Sequence, residues 1–146
     1  VADSMSKKET VVITGGASGI GRESARQFAA SGADIIVSDI DLKGAKDTIE
    51  SLSGDGERQA VETDVRDSNS VSALFETVKK SFDGIDVLIN CAGLSQTAEP
   101  TVEQSVEEWE RVIDVHLKGA YLCSKFALEG MLEQGFGNII NISSIA

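Results

Sequence analysis

The stretch Thr10-Val-Val-Ile-Thr14 runs without a break into Gly15-Gly-Ala-Ser-Gly-Ile-Gly21, and this junction limits the possible folds more than any other feature of the chain. Val11, Val12 and Ile13 are three successive branched apolar side chains, which suits a strand buried on both faces, the situation of a parallel sheet covered by helices. The glycines that follow let backbone approach backbone or ligand closely. A helical pattern starts at once, with Ile20, Ala25, Phe28 and Ala29 on one side and a stop near Ser31-Gly32.

The same alternation then repeats. Ile35 to Ser38 reads as a strand stopping at Asp39, and a helix from about Leu42 aligns Leu42, Ala45, Ile49 and Leu52 before the glycine-rich Ser53 to Gly56. A weaker strand around Arg58 to Glu62 precedes a helix capped by Asp67 or Ser68, whose Val71, Leu74, Phe75, Val78 and Phe82 keep a 3.6-residue spacing. Val87 to Ile89 form a fourth strand leading into Asn90-Cys-Ala-Gly93 and a polar loop with the only proline, Pro100, a candidate for substrate contact. Ser105 and Glu108 have capping-box spacing, and one long helix is expected to carry Trp109, Val112, Ile113, His116, Leu117, Ala120, Ala127, Leu128 and Met131 as far as Gly135 to Gly137. Asn138 to Ile142 is the fifth strand. The expectation is an α/β fold with a doubly wound parallel sheet of Rossmann type and right-handed crossovers, incomplete after the fifth strand because an apolar edge there calls for a further neighbour. Residues 1–8 read as a polar tail and 9–146 as the domain.

Charge excludes several partners. With 24 acidic against 13 basic side chains the net charge is -11, which repels nucleic acid and anionic bilayers. Cys91 and Cys123 have neither the density of a disulfide scaffold nor the spacing of a metal site, so no metal is expected and a reducing cytoplasm is the natural compartment. No run approaches the roughly 18 apolar residues of a membrane span.

A strand that delivers Gly15, Gly16, Gly19 and Gly21 to a helix start supplies what a diphosphate needs: close approach, free N–H groups and the positive end of a helix. The spacing is not that of the common dinucleotide fingerprint, and a plain glycine turn is the bland alternative. Arg22-Glu23 stand where a P-loop needs lysine and a hydroxyl residue, which argues against a nucleotide triphosphatase. Asp39, ending the second strand with Ile40 beside it, stands where a carboxylate accepts the ribose hydroxyls of adenosine and repels a 2′-phosphate, favouring NAD over NADP. Asp39 could instead be a helix cap, a role for which Asp41 competes, and Arg22 is a cation that could receive a 2′-phosphate or simply be solvated.

Taken in order, these motifs resemble the short-chain dehydrogenase/reductase family over essentially all of the chain after the tail. Thr14-Gly-Gly-Ala-Ser-Gly-Ile-Gly21 is similar to its cofactor loop, Asp64-Val65 to its adenine-contacting pair, and Asn90-Cys91-Ala92-Gly93 to its Asn-Asn-Ala-Gly signature with Cys91 at the second position. The resemblance implies a cofactor set of Gly15, Ser18, Gly19, Ile20, Gly21, Asp39, Ile40, Asp64, Val65, Asn90, Ala92, Gly93 and Val115. In it Ile20 lies under the pyrophosphate, Asn90 and Ala92 line the central cleft, and Val115 is near the nicotinamide ribose. The long helix is an interface in the family, so a homo-oligomer is possible.

Two positions depart from the family. His116, in Asp114-Val-His-Leu-Lys-Gly119, occupies the place of an asparagine that positions a water in the proton relay; it either alters that relay or is an ordinary hydrogen-bonded helix histidine. Ser144, in Asn141-Ile-Ser-Ser144, matches the family's catalytic serine, but the Tyr-x-x-x-Lys expected on the next helix is not in the sequence. Tyr121 and Lys125 have that spacing yet precede Ser144, and read better as a packing tyrosine beside a surface lysine. The expected function is oxidoreduction of a small alcohol or ketone by a nicotinamide cofactor, with Ser144 and His116 as catalytic candidates and this chain inactive by itself. The alternatives are a non-catalytic NAD-binding module or sensor and, less favoured by the diphosphate-shaped loop, a methyltransferase.

Overall fold

β1 (Thr10–Thr14) is buried at every position because it occupies the middle of the sheet. In the computed structural model, which describes residues 7–95 and 99–144, it pairs in parallel with β2 (Asp34–Asp39) on one side and β4 (Val87–Asn90) on the other. β3 (Arg58–Glu62) flanks β2 and β5 (Asn138–Asn141) flanks β4, giving the order β3-β2-β1-β4-β5, all parallel, the Rossmann-type arrangement expected. The helices are α1 (Gly19–Ala30), α2 (Leu42–Glu50), α3 (Ser68–Ser81), α4 (Val106–Ile113) and α5 (Gly119–Gln134).

Successive strand side chains point to opposite faces, and the core divides accordingly. Val12, Ile36 and Leu88 pack with Val71, Leu74 and Val78 of α3 and with Leu122, Cys123, Ala127 and Met131 of α5. Val11, Ile13, Ile35 and Val37 pack on the other face with Ala25 and Ala29 of α1 and Ala45 of α2. Alanine at these helix positions brings α1 and α2 close to the sheet. The Cys123 thiol is pushed up to about 12 by its burial, so it behaves as a small apolar side chain.

Helix starts are fixed by short polar side chains. Asp41 accepts from the Gly44 N–H, Asp67 from that of Asn69 and Ser105 from that of Glu108. Asp41 and not Asp39 therefore caps α2, and Asp67 and not Ser68 caps α3.

Four expectations are corrected. β2 begins one residue earlier, at Asp34, and β5 ends at Asn141 instead of Ile142. Ile20 is 60% exposed and does not share the buried side of α1, whose buried residues are Gly21, Ala25 and Ala29. The single long helix is interrupted: a π turn, Asp114–Lys118, separates α4 from α5. The wider turn shifts the helical register, so no continuous apolar stripe forms, and Trp109, Leu117 and Leu128 are exposed.

Leu74→Ala should lower unfolding stability by about 2–5 kcal/mol, because it leaves a cavity under the sheet. The same change at exposed Leu128 should cost less than about 1 kcal/mol. Urea unfolding followed by circular dichroism checks both, and equal losses would contradict the assigned core.

Candidate functional site

In an open parallel sheet the crevice lies at the carboxyl ends of the strands, where the strand order reverses. Here that point falls between β1 and β4, since the chain proceeds from β1 to β2 and β3 and then returns to β1's other side. The residues singled out in the sequence gather there.

The turn after β1 is set by contact with the segment after β4. Gly15 has φ +69°, and a Cβ on it would lie 2.6 Å from the backbone of Ala92. The Thr14 hydroxyl accepts the N–H groups of Cys91 and Ala92, each at 3.3 Å, and joins the two strand ends. A Cβ on Gly21 would collide with the Gly15 carbonyl oxygen, so the start of α1 folds tightly back on the turn. Arg22 holds the turn from behind: its guanidinium donates to the Thr48 hydroxyl at 3.0 Å and to the Ala17 carbonyl, while Thr48 donates to the Gly16 carbonyl at 2.9 Å. Arg22 is thus neither a solvated charge nor an unengaged phosphate ligand.

Ser18, Gly19 and Ile20 are exposed at the start of α1, and the Ser18 side chain makes no capping bond, unlike the residues starting α2, α3 and α4. The first amides of a helix have no partner within it, so this end offers donors to the crevice. Asp39 closes the turn from the side. One carboxylate oxygen accepts the Ala17 N–H at 2.9 Å and the other the Asp41 N–H at 3.0 Å, and each retains a lone pair.

Two cavities open beside the turn. The smaller, about 240 Å³, is walled by Gly15, Asp39, Ile40, Asp64, Val65, Gly93 and Val115. Ile40 is 63% exposed at its rim, and the Thr63 hydroxyl in its wall is buried without a hydrogen-bond partner among the described residues. Asp64 meets Arg66 at 2.7 Å, and this hydrogen-bonded guanidinium holds the Asp64 carboxyl below the ordinary carboxylate range. The larger cavity, about 540 Å³, is lined by Asn90, His116, Tyr121, Asn141 and Ser144. Ala92 belongs to the walls of both. The Asn90 amide donates to Ser124 at 3.1 Å and to Asn141 at 2.9 Å, while its own oxygen is buried and unmatched among the described residues.

Residues 9–146 match the family model described as short chain dehydrogenase. The chain belongs to this family. Among curated relatives it is 41% identical over 139 residues to a cis-4-hydroxycyclohexanecarboxylate dehydrogenase of Sinomonas cyclohexanicum, covering 94% of this chain and 55% of that one. It is 38% identical over 142 residues to 3beta-hydroxysteroid dehydrogenase 1 of Eggerthella lenta, covering 95% and 54%. A crystal structure named as ribose-5-phosphate isomerase from Brucella melitensis 16M superposes with a TM-score of 0.88 at 34% identity, covering 95% of this chain and 52% of that one. The chain therefore spans about half the length of these relatives. Of the fifteen candidate residues, Ser18, Gly19 and Ile20 are exposed and Gly21 is buried at the start of α1, and the other eleven line one or both cavities.

Sequence reasoning missed several residues of the site. Arg66, Arg111, Thr63 and Leu94 wall the smaller cavity and Ser124 the larger, but no motif announces them. Tyr121, expected to pack, is 60% exposed and faces the larger cavity. Among the described residues no cluster of acidic, histidine or cysteine side chains could hold a metal, and no helix is long and apolar enough to cross a membrane.

Because the folded Asp64 carboxyl titrates below its unfolded value, the Asp64–Arg66 pair adds stability above the unfolded value and loses it as pH falls through the folded one. Arg66→Ala should therefore move the Asp64 titration upward in a carboxyl-detected NMR experiment. An unmoved titration would assign the depression to another cause.

Proposed function

We propose that this chain forms the cofactor-binding part of an NAD-dependent oxidoreductase that interconverts an alcohol and a ketone. The observation that carries this reading is the uncapped, glycine-bounded start of α1 beside a carboxylate at the end of β2. The unmatched Thr63 hydroxyl and Asn90 carbonyl, one in each cavity wall, fit a ligand spanning both.

In this reading the amides from Ser18 to Gly21 bind the linked phosphates, with Ile20 as an apolar floor. Asp39 uses its remaining lone pairs for the ribose hydroxyls, and Asp64, Val65 and Ile40 enclose the adenine. Asn90, Ala92, Gly93 and Val115 border the passage to the larger cavity. When bound, the dinucleotide takes up or supplies the hydride. Ser144 lies in the wall of the larger cavity and is the group to orient a substrate oxygen there, with His116 in the same wall as the second catalytic candidate. A small-molecule substrate fits this cavity's size.

NAD is favoured over NADP because the nearby arginines are already engaged. Arg22 bonds Thr48 and Ala17, Arg66 pairs with Asp64, and Arg111 pairs with Glu108. A 2′-phosphate would meet the Asp39 carboxylate with these cations committed elsewhere. The dehydrogenase names of the curated relatives support the same reading. The isomerase name of the Brucella structure supports it less, since aldose–ketose isomerisation does not call for a diphosphate cradle.

Calorimetry with NAD and NADP tests the reading. NAD should bind, and Asp39→Ala should weaken it by roughly ten- to a hundredfold, the loss of hydrogen bonds to a charged group, while affecting NADP less. Heat with neither coenzyme would remove the proposal, and equal losses would restrict Asp39 to holding the Ala17 amide.

A further inference from the structure

His116 sits in the π turn between α4 and α5 and reaches across to the segment after β4. Its Nε2 atom lies 3.2 Å from the Leu94 nitrogen and 3.0 Å from the Leu94 carbonyl oxygen. The ring also covers Gly93, where a Cβ would meet the imidazole Cε1 at 2.7 Å. Gly93 and Leu94 wall the smaller cavity, while His116 and Ala92 wall the larger, so the contact lies on the partition between them.

We infer that His116 is a proton-sensitive positioning residue, whose imidazole clamps the Gly93–Leu94 backbone and thereby sets the partition between the two cavities. One nitrogen faces both a donor and an acceptor, and the protonation state decides which it serves. A bare Nε2 accepts the Leu94 N–H; an Nε2 carrying hydrogen donates to the Leu94 carbonyl. The imidazolium can only donate, so protonation leaves the Leu94 N–H without its acceptor and shifts the segment towards the carbonyl-bonded arrangement. Histidine is the side chain that ordinarily makes this change within about pH 5 to 8.

The ionisable groups around the ring are largely paired. Asp114 and Lys118 of the same π turn lie 3.8 Å apart, Arg111 of α4 pairs with Glu108 and reaches the Ser95 carbonyl at 3.4 Å, and Asp64 pairs with Arg66 beyond the partition. From α5, Tyr121 shares the larger cavity. The clamp stands on this geometry alone, whereas its effect on coenzyme rests on the reading above.

His116 is the only histidine, so its Cε1 proton gives an unambiguous NMR signal. In the wild-type chain the Leu94 amide resonance should follow the same titration curve as that proton. His116→Gln places a side-chain amide near the position of Nε2 and offers donor and acceptor together, so it should keep Leu94 slow to exchange and remove the pH response. His116→Ala should speed Leu94 exchange roughly tenfold. A Leu94 amide that stays still while the imidazole titrates, or a pH response that persists in His116→Gln, overturns the clamp. In a parallel calorimetric titration with NAD, the affinity of wild type should change between pH 5.5 and 8, taken as about the ends of histidine's range, more than that of His116→Gln. Equal pH dependence would likewise count against it. Absence of NAD binding would sink the coenzyme reading alone, since the Leu94 measurement needs no ligand.

Discussion

The cleft depends on two backbones passing within van der Waals contact, that of Gly15 after β1 and that of Ala92 after β4. A side chain at position 15 would put a carbon 2.6 Å from Ala92, which no real contact tolerates, and φ +69° is a conformation that glycine adopts without strain. Thr14 adds a polar link, its hydroxyl taking two amides of the neighbouring strand end that would otherwise be unmatched. Once the two strand ends are joined, the glycine turn has one place to go. It lies over the carboxyl end of the sheet and delivers α1 pointing away from it. Asp39, one strand further, is then within reach of the Ala17 amide, and the cavities on either side of Ala92 follow from the same approach.

Electrostatics completes what packing begins. The chain carries a net charge of -11, an unpromising balance for binding a diphosphate. In the proposed reading this would be met locally, by an uncapped helix start whose amides need no ionised side chain, while the nearby arginines are tied to carboxylates, a hydroxyl and a carbonyl. Long-range repulsion is screened within about 10 Å at ordinary salt, whereas the amides act at contact distance. Capping shows the same economy. Where a helix start serves only the fold, Asp41, Asp67 or Ser105 fills it; where it faces the crevice, the position is left to solvent or ligand.

Much of this was legible in the sequence because it depends on local chemistry. Val11 to Ile13 demanded burial on both faces, the glycines demanded a close approach, and Val71, Leu74 and Val78 kept one side of a helix against the sheet. What escaped depends on contacts between distant segments. Ile20 looked like core by periodicity, yet it stands at the mouth of the crevice, where an apolar surface suits a ligand better than the sheet. The links from Arg22 to Thr48 and from Thr48 to Gly16 join residues with no shared pattern. The π turn was invisible for a different reason: apolar spacing reports an average of 3.6 residues per turn and cannot register one wider turn. Asp114 to Lys118 contain no proline or glycine that would mark a break.

That wider turn also decides what the side chain at position 116 reaches. A regular helix from α4 into α5 would distribute Val115 and His116 along a surface whose register is set by the residues before and after them. The π turn releases that register for five residues, so Val115 enters the wall of the smaller cavity while its neighbour His116 turns to the backbone of Leu94 and the larger one. The two neighbours thus divide between two chambers bordered by the Gly93–Leu94 backbone. The π turn and the Gly15–Ala92 approach therefore act from opposite sides on the same segment after β4. One sets where its backbone begins to leave the sheet, and the other sets how far it can swing once it has left.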